Sequence, residues 1–182
     1  MTRNINRSTK LFERAVKFHR DEKWLDAIRL YRMVIKQDPQ HANTWGNLGS
    51  ALKAIGELEE AQRCLKRAIK LNPSEYNHHY NLGNTLHELK RTDEAVAAYR
   101  SAIALNSLFS RAHYNLGLMF DELGRVGEAM AAYREALKVD PQHYDASLNL
   151  GVLYEAEGIL SEAISCYRAA IELAPNRTER YK

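Results

Sequence analysis

Nowhere in the 182 residues is there an unbroken apolar run of 18, so the sequence offers no transmembrane helix and no membrane insertion is expected. Neither sign of charge dominates: a formal net charge of +3 with 45% hydrophobic residues is ordinary for a soluble protein. There is no phosphate-binding glycine loop, no nucleophile elbow and no evident pair of catalytic carboxylates, so the sequence reads as non-enzymatic. Among seven histidines only His78 and His79 cluster, and neither has a His, Cys or carboxylate partner at a metal-binding spacing. No metal or other cofactor is expected. Met1 to Arg7 lack the apolar stretch of a secretory signal. The basic series Arg3, Arg7, Lys10, Arg14, Lys17 and Arg20 has the look of a mitochondrial presequence, but it contains Glu13 and falls into the register described next.

Proline is scarce too, and its placement is informative. Pro39, Pro73, Pro141 and Pro175 share one 34-residue register, with Ser107 standing where a fifth would fall. Asn-Leu-Gly triplets begin at Asn47, Asn81, Asn115 and Asn149, again in steps of 34. Twelve residues after each glycine comes Ala61, Ala95, Ala129 or Ala163, and four after that Leu65, Tyr99, Tyr133 or Tyr167. A more divergent first copy is marked by Leu11, Ala15, Phe18, Ala27 and Tyr31. A fixed period of this length means stacked supersecondary units. Leu82, Leu86, Ala95, Tyr99 and Ala102 recur at helical spacing, with no two-residue alternation, so the units are helical.

This pattern resembles the tetratricopeptide repeat (TPR) family, over nearly the whole chain. The resemblance implies an all-α solenoid of five helix-turn-helix repeats in a right-handed superhelix, whose concave face, lined by the first helix (A) of each pair, binds proteins. The expected repeats are about 8–41, 42–75, 76–109, 110–143 and 144–177, in one domain over 8–175. A tail is expected at 1–7, and 178–182 reads as the truncated start of a further helix or a tail, as in a fragment of a longer array. Helix pairs are expected at about 42–55 and 58–71, 76–89 and 92–105, 110–123 and 126–139, and 144–157 and 160–173. Gly56, Gly124 and Gly158 suit the A-helix ends, while Lys90 takes that place in the third repeat. Ser110 is placed to cap the helix after the proline-free junction. Gly49, Gly83, Gly117 and Gly151 are expected to face Ala61, Ala95, Ala129 and Ala163 across a close helix crossing. Cys64 and Cys166 occupy equivalent places three repeats apart, which reads as two free thiols in a reducing, cytoplasmic compartment.

Carried onto the concave positions, the resemblance gives a candidate peptide-binding set: Asn47, Asn81, Asn115 and Asn149 as a ladder, with Asn43, Asn77, Tyr80, Asn84, Arg111 and Tyr114 beside it. A carboxamide both donates and accepts, so it can pair with the backbone of an extended peptide whatever its side chains. The ladder is similar to that of the O-linked N-acetylglucosamine transferase superhelix, although asparagine at this position also reads simply as a solvated polar residue. The carboxylate clamp of chaperone co-factors is not present, since Arg111 alone is basic among the positions it needs. Residues 1–75 carry 15 Lys and Arg against 9 Asp and Glu, a net of +6, and the remainder carries −3. Nucleic acid is not expected as a partner, because the basic residues are not arranged around exposed aromatics. The resulting reading is a protein or peptide scaffold. Two other readings stay open: the targeting arm of a longer glycosyltransferase, and self-association through an uncapped C-terminal end.

Overall fold

The computed structural model describes residues 2–173, which form ten α-helices. They are α1 (Thr2–Arg20), α2 (Trp24–Gln37), α3 (Ala42–Ala54), α4 (Leu58–Leu71), α5 (Tyr76–Glu88), α6 (Thr92–Leu105), α7 (Ser110–Glu122), α8 (Val126–Val139), α9 (Tyr144–Ala156) and α10 (Leu160–Leu173). Consecutive odd and even helices form hairpins, and the chain divides into two compact units, Met1–Leu105 and Asn106–Lys182. In the first unit α2 packs on α3 and α4 on α5, while α3 also touches α1 and α5. In the second, α8 packs on α9. The division falls at the junction where Ser107 replaces proline. No helix among the described residues is long and apolar enough to cross a membrane.

The helices start and stop for identifiable reasons. Each odd helix from α3 onward ends a residue earlier than its periodicity suggests, because the chain turns out of the helix on the way to a left-handed residue. That residue is glycine at Gly56, Gly124 and Gly158, with φ of +83°, +68° and +74°. Lys90 and Glu22 adopt the same conformation at 60° and 57°, which an L side chain tolerates at some cost. Ser110 does not cap α7. It lies inside the first turn, Phe109 holds the cap position without a side-chain bond, and the Ser110 hydroxyl donates to the carbonyl of Ala136 at 3.0 Å. That carbonyl, in the last turn of α8, also accepts from the backbone N–H of Asp140 at 2.9 Å. Residues 2–7, expected as a tail, are helical, and no proline or glycine lies between Thr2 and Arg20 to stop α1. The expectations for Pro175, Tyr181 and 178–182 lie outside the described residues.

Within each hairpin the alanines are sealed: Ala27, Ala61, Ala95 and Ala129 have no exposed surface. The glycines meet something other than those alanines. A Cβ on Gly83 would lie 2.6 Å from Cε1 of Tyr99, and one on Gly117 would lie 2.5 Å from Cε1 of Tyr133. Gly151 stands in the same relation to Tyr167 at 2.7 Å. Gly49 instead faces the side chain of Leu65 at 2.6 Å, with the Ala61 carbonyl beside it at 3.1 Å. The glycine is therefore the seat for the large residue one turn beyond the alanine. Tyr99 and Tyr133, 1% and 0% exposed, lie against the opposite helix where any side chain would hold them off.

Candidate functional site

The asparagines sit on odd-numbered helices whose first turns are braced individually. His41 and His143 accept through Nδ1 from the backbone N–H of Thr44 and Ala146, and Glu75 accepts from Asn77 at the matching place in α5. One turn in, Trp45 Nε1 donates to the Pro39 carbonyl at 3.0 Å. The rings of His79 and His113 bond the carbonyls of Pro73 and Ser107 six residues back, at 3.0 and 2.9 Å. These aromatic side chains tie α3, α5 and α7 to the loops that precede them, which accounts for His79 and His113 without a metal. Among the described residues no group of three or more His, Cys, Asp or Glu is arranged to hold one.

In the first unit four of the predicted residues come together. Asn43, Asn47, Asn77 and Asn81 line one cavity of about 420 Å³, with Ser50 beside them. Its remaining walls, not anticipated from the sequence, are Phe12 and His19 of α1, Glu75 before α5, and His78. Glu75 Oε1 also accepts from Nδ2 of Asn77 at 2.8 Å, which orients that amide. Tyr80 and Asn84 are engaged elsewhere in the unit. The Tyr80 ring lies 5.9 Å from that of Tyr99, centroid to centroid, and the Tyr99 hydroxyl donates to Asn84 Oδ1 at 2.8 Å.

In the second unit Tyr114 is half-buried between the rings of Tyr133 and His143, at 5.8 and 4.6 Å. Burial raises the Tyr114 phenol above its ordinary range, and the nearby Asp145 carboxylate adds to the shift. Nδ2 of Asn149 donates to the Tyr133 hydroxyl at 3.4 Å. Arg111 is exposed, and Asn115 is half-buried on the same helix.

A feature of the asparagines that the repeat alone did not reveal is the tyrosine sixteen residues before. Asn149 bonds Tyr133, and Asn47 lies near enough to the Tyr31 hydroxyl, which meets His19 Nδ1 at 3.3 Å, to act on its titration. Burial pushes the Tyr31 phenol up to about 12, so the hydroxyl stays protonated at neutral pH. The bond to Tyr133 orients the Asn149 carboxamide and uses part of its capacity, leaving the remainder for a ligand. At Asn81 the matching position is Leu65, and no hydroxyl is supplied. The sequence carried this signal: Tyr31, Leu65, Tyr99 and Tyr133 each stand sixteen residues before an asparagine of the ladder.

The cysteines add no reactive group. Both are free thiols, and burial, reinforced by Glu60, pushes the buried Cys64 up to about 11. Burial raises the half-buried Cys166 as well. Thiols shifted this way are poor nucleophiles.

Comparison with known proteins gives a consistent family. One tetratricopeptide repeat model matches residues 47–107, 91–138 and 114–178, and a second matches 30–63. A comparison with curated proteins found no match. Among solved structures, a crystal structure of MamA is 29% identical, with a TM-score of 0.82 over 91% of this chain and 96% of that one. MamA from Desulfovibrio magneticus RS-1, residue 41 to the end, is 20% identical with a TM-score of 0.82, covering 92% and 95%. YrrB, described as a TPR protein with an unusual peptide-binding site, is 22% identical with a TM-score of 0.74, covering 91% and 86%. With its glycine seats, sealed alanines and paired helices, the chain belongs to the tetratricopeptide repeat family.

Proposed function

We propose that the protein is a non-catalytic scaffold that binds an extended segment of a partner protein along the face carrying its asparagines. The observation that carries this reading is the gathering of Asn43, Asn47, Asn77 and Asn81 around one cavity in the first unit. Four carboxamides on two adjacent odd helices offer donors and acceptors at the spacing of the repeat, as backbone reading requires. The bond of Asn149 to Tyr133 supports it, because an amide already oriented loses less freedom when a peptide arrives. YrrB, of the same fold, has a peptide-binding site, which lends further support. The free thiols fit a cytoplasmic setting.

A peptide-array screen with the whole chain, followed by NMR of the captured peptides, tests the reading. Bound peptides are expected to shift backbone resonances of residues 43–50 and 77–84 more than those of α4 and α6. Shifts confined to the even helices would place binding elsewhere and contradict it.

A second reading, self-association through α10, is favoured by an apolar stripe on that helix. Leu160, Ile164 and Ile171 are 60%, 51% and 50% exposed. The matching Val126, Met130 and Leu137 are half-buried on α8, which packs against α9. Light scattering is then expected to report mass rising with protein concentration, and a constant monomer mass over a wide range would exclude it.

A further inference from the structure

The second repeat departs from its neighbours at one place, and the departure builds a site. Where the third and fourth repeats have Tyr80 and Tyr114, it has Gly46, and where they have Tyr99 and Tyr133 it has Leu65. The space is taken by an imidazole from the following repeat. His78 lies so close to Gly46 that a Cβ there would fall 2.4 Å from its Cε1 and 2.5 Å from its Nδ1. His78 is only 5% exposed, and its buried Nε2 has no hydrogen-bond partner. Such an atom costs about 1–3 kcal/mol when left unpaired, and native proteins leave few of them.

His78 is also a wall of the amide-lined cavity, whose volume of about 420 Å³ leaves room for a long side chain. The chemistry of the lining is one-sided. Among the described residues Glu75 is its one carboxylate, and neither lysine nor arginine lines it. Burial lowers both His78 and His19 from their ordinary value, which favours the uncharged rings; Nδ1 of His19 is engaged with the Tyr31 hydroxyl, while Nε2 of His78 has no partner. The asparagine oxygens add further acceptors, and the half-buried Phe12 ring supplies an apolar wall for a methylene stem.

We propose that this cavity is the side-chain pocket of the peptide groove and that it selects a lysine or arginine of the bound segment. The inference rests on the groove reading given above. A cationic head brings donors for the amide oxygens, the Glu75 carboxylate and the unpaired imidazole nitrogen, while its stem covers Phe12. An acidic side chain meets Glu75 with no cation to receive it. An aliphatic one desolvates the carboxamides and leaves Nε2 unpaired.

The test uses the whole chain and labelled peptides of three alanines, a central residue X and three alanines, with X as Lys, Arg, Gln, Glu or norleucine. The Lys and Arg peptides are expected to bind at least tenfold more tightly than the other three and to shift the His78 ring resonances. Glu75→Gln keeps an oxygen for the α5 cap and is expected to abolish the preference for Lys over norleucine. Gly46→Ala, which displaces the imidazole, is expected to do the same without weakening the norleucine peptide. Equal binding by all five peptides, with shifts on α3 and α5, overturns the pocket and leaves the groove standing. Tighter binding of the Glu, Gln or norleucine peptide, or Lys binding that leaves His78 unmoved, also overturns the pocket. Absence of binding by every peptide overturns both readings.

Discussion

Tyr133→Ala is expected to lower the unfolding free energy by about 3–5 kcal/mol, the range for removing a buried aromatic from a core. The ring has no exposed surface, lies 5.8 Å from Tyr114 by centroid and rests directly on Gly117. Its loss leaves a hole that α7 and α8 close only partly, and Asn149 loses the hydroxyl it bonds. Gly117→Ala attacks the same contact from the other side. Alanine is favoured over glycine in a helix by about 1 kcal/mol, so a surface glycine changed this way stabilises. Here the new Cβ would lie 2.5 Å from the Tyr133 ring, which has nowhere to go, and overpacking of this kind costs about 1–3 kcal/mol. A net loss of up to about 2 kcal/mol follows. The two effects are coupled. Once Tyr133 is alanine the methyl has room, and Gly117→Ala becomes neutral or stabilising by up to about 1 kcal/mol. Urea unfolding of the wild type, both single variants and the double variant, followed by circular dichroism, measures this coupling. Additive losses would mean that the ring contact is not what requires glycine.

That contact also marks where the sequence was legible and where it was not. The 34-residue period gave the helix pairs almost to the residue, because Asn-Leu-Gly, the alanine and the proline each recur at one place in the hairpin. What periodicity does not give is which members of the pattern touch. Small residues in phase suggest that they face each other, yet what lies nearest Gly83 and Gly117 is in each case a tyrosine ring. The candidate site was legible in the same limited way. The family resemblance placed Asn43, Asn47, Asn77 and Asn81 on a common face, and these four share a cavity. Its other walls come from outside the ladder. Phe12 and His19 belong to the divergent first repeat, Glu75 to a capping position, and His78 becomes a wall only because Gly46 replaces a tyrosine in the repeat before. Such substitutions are visible as exceptions to the pattern, but their consequence depends on packing between neighbouring repeats. Ser110 is a smaller case. A serine at a helix start invites the capping reading, but here the hydroxyl finds a carbonyl of α8.

Asn81→Ala with Asn115→Ala is the second change expected to have a large effect, this time on binding. Each carboxamide offers one or two hydrogen bonds to a peptide backbone, and each such bond is worth about 0.5–1.5 kcal/mol net. Removing two rungs, at one bond each and about 1 kcal/mol a bond, weakens binding by about thirtyfold, and by more where a rung makes two bonds, since 1.4 kcal/mol is a factor of ten. Asn81 is well chosen because Leu65 leaves it without a tyrosine hydroxyl of the kind that engages Asn149, so its loss disturbs little of the fold. Both asparagines are half-buried at the face rather than in the core, and helicity is expected to be unchanged. The most direct measurement is a titration of a peptide recovered from the array into the wild type and into this double variant, once circular dichroism has shown both to be folded. If the protein reads peptide backbones through its asparagines, affinity falls by at least tenfold while the spectrum stays the same. Equal affinity in two folded proteins would contradict that account and reduce the ladder to a solvated edge of the repeat.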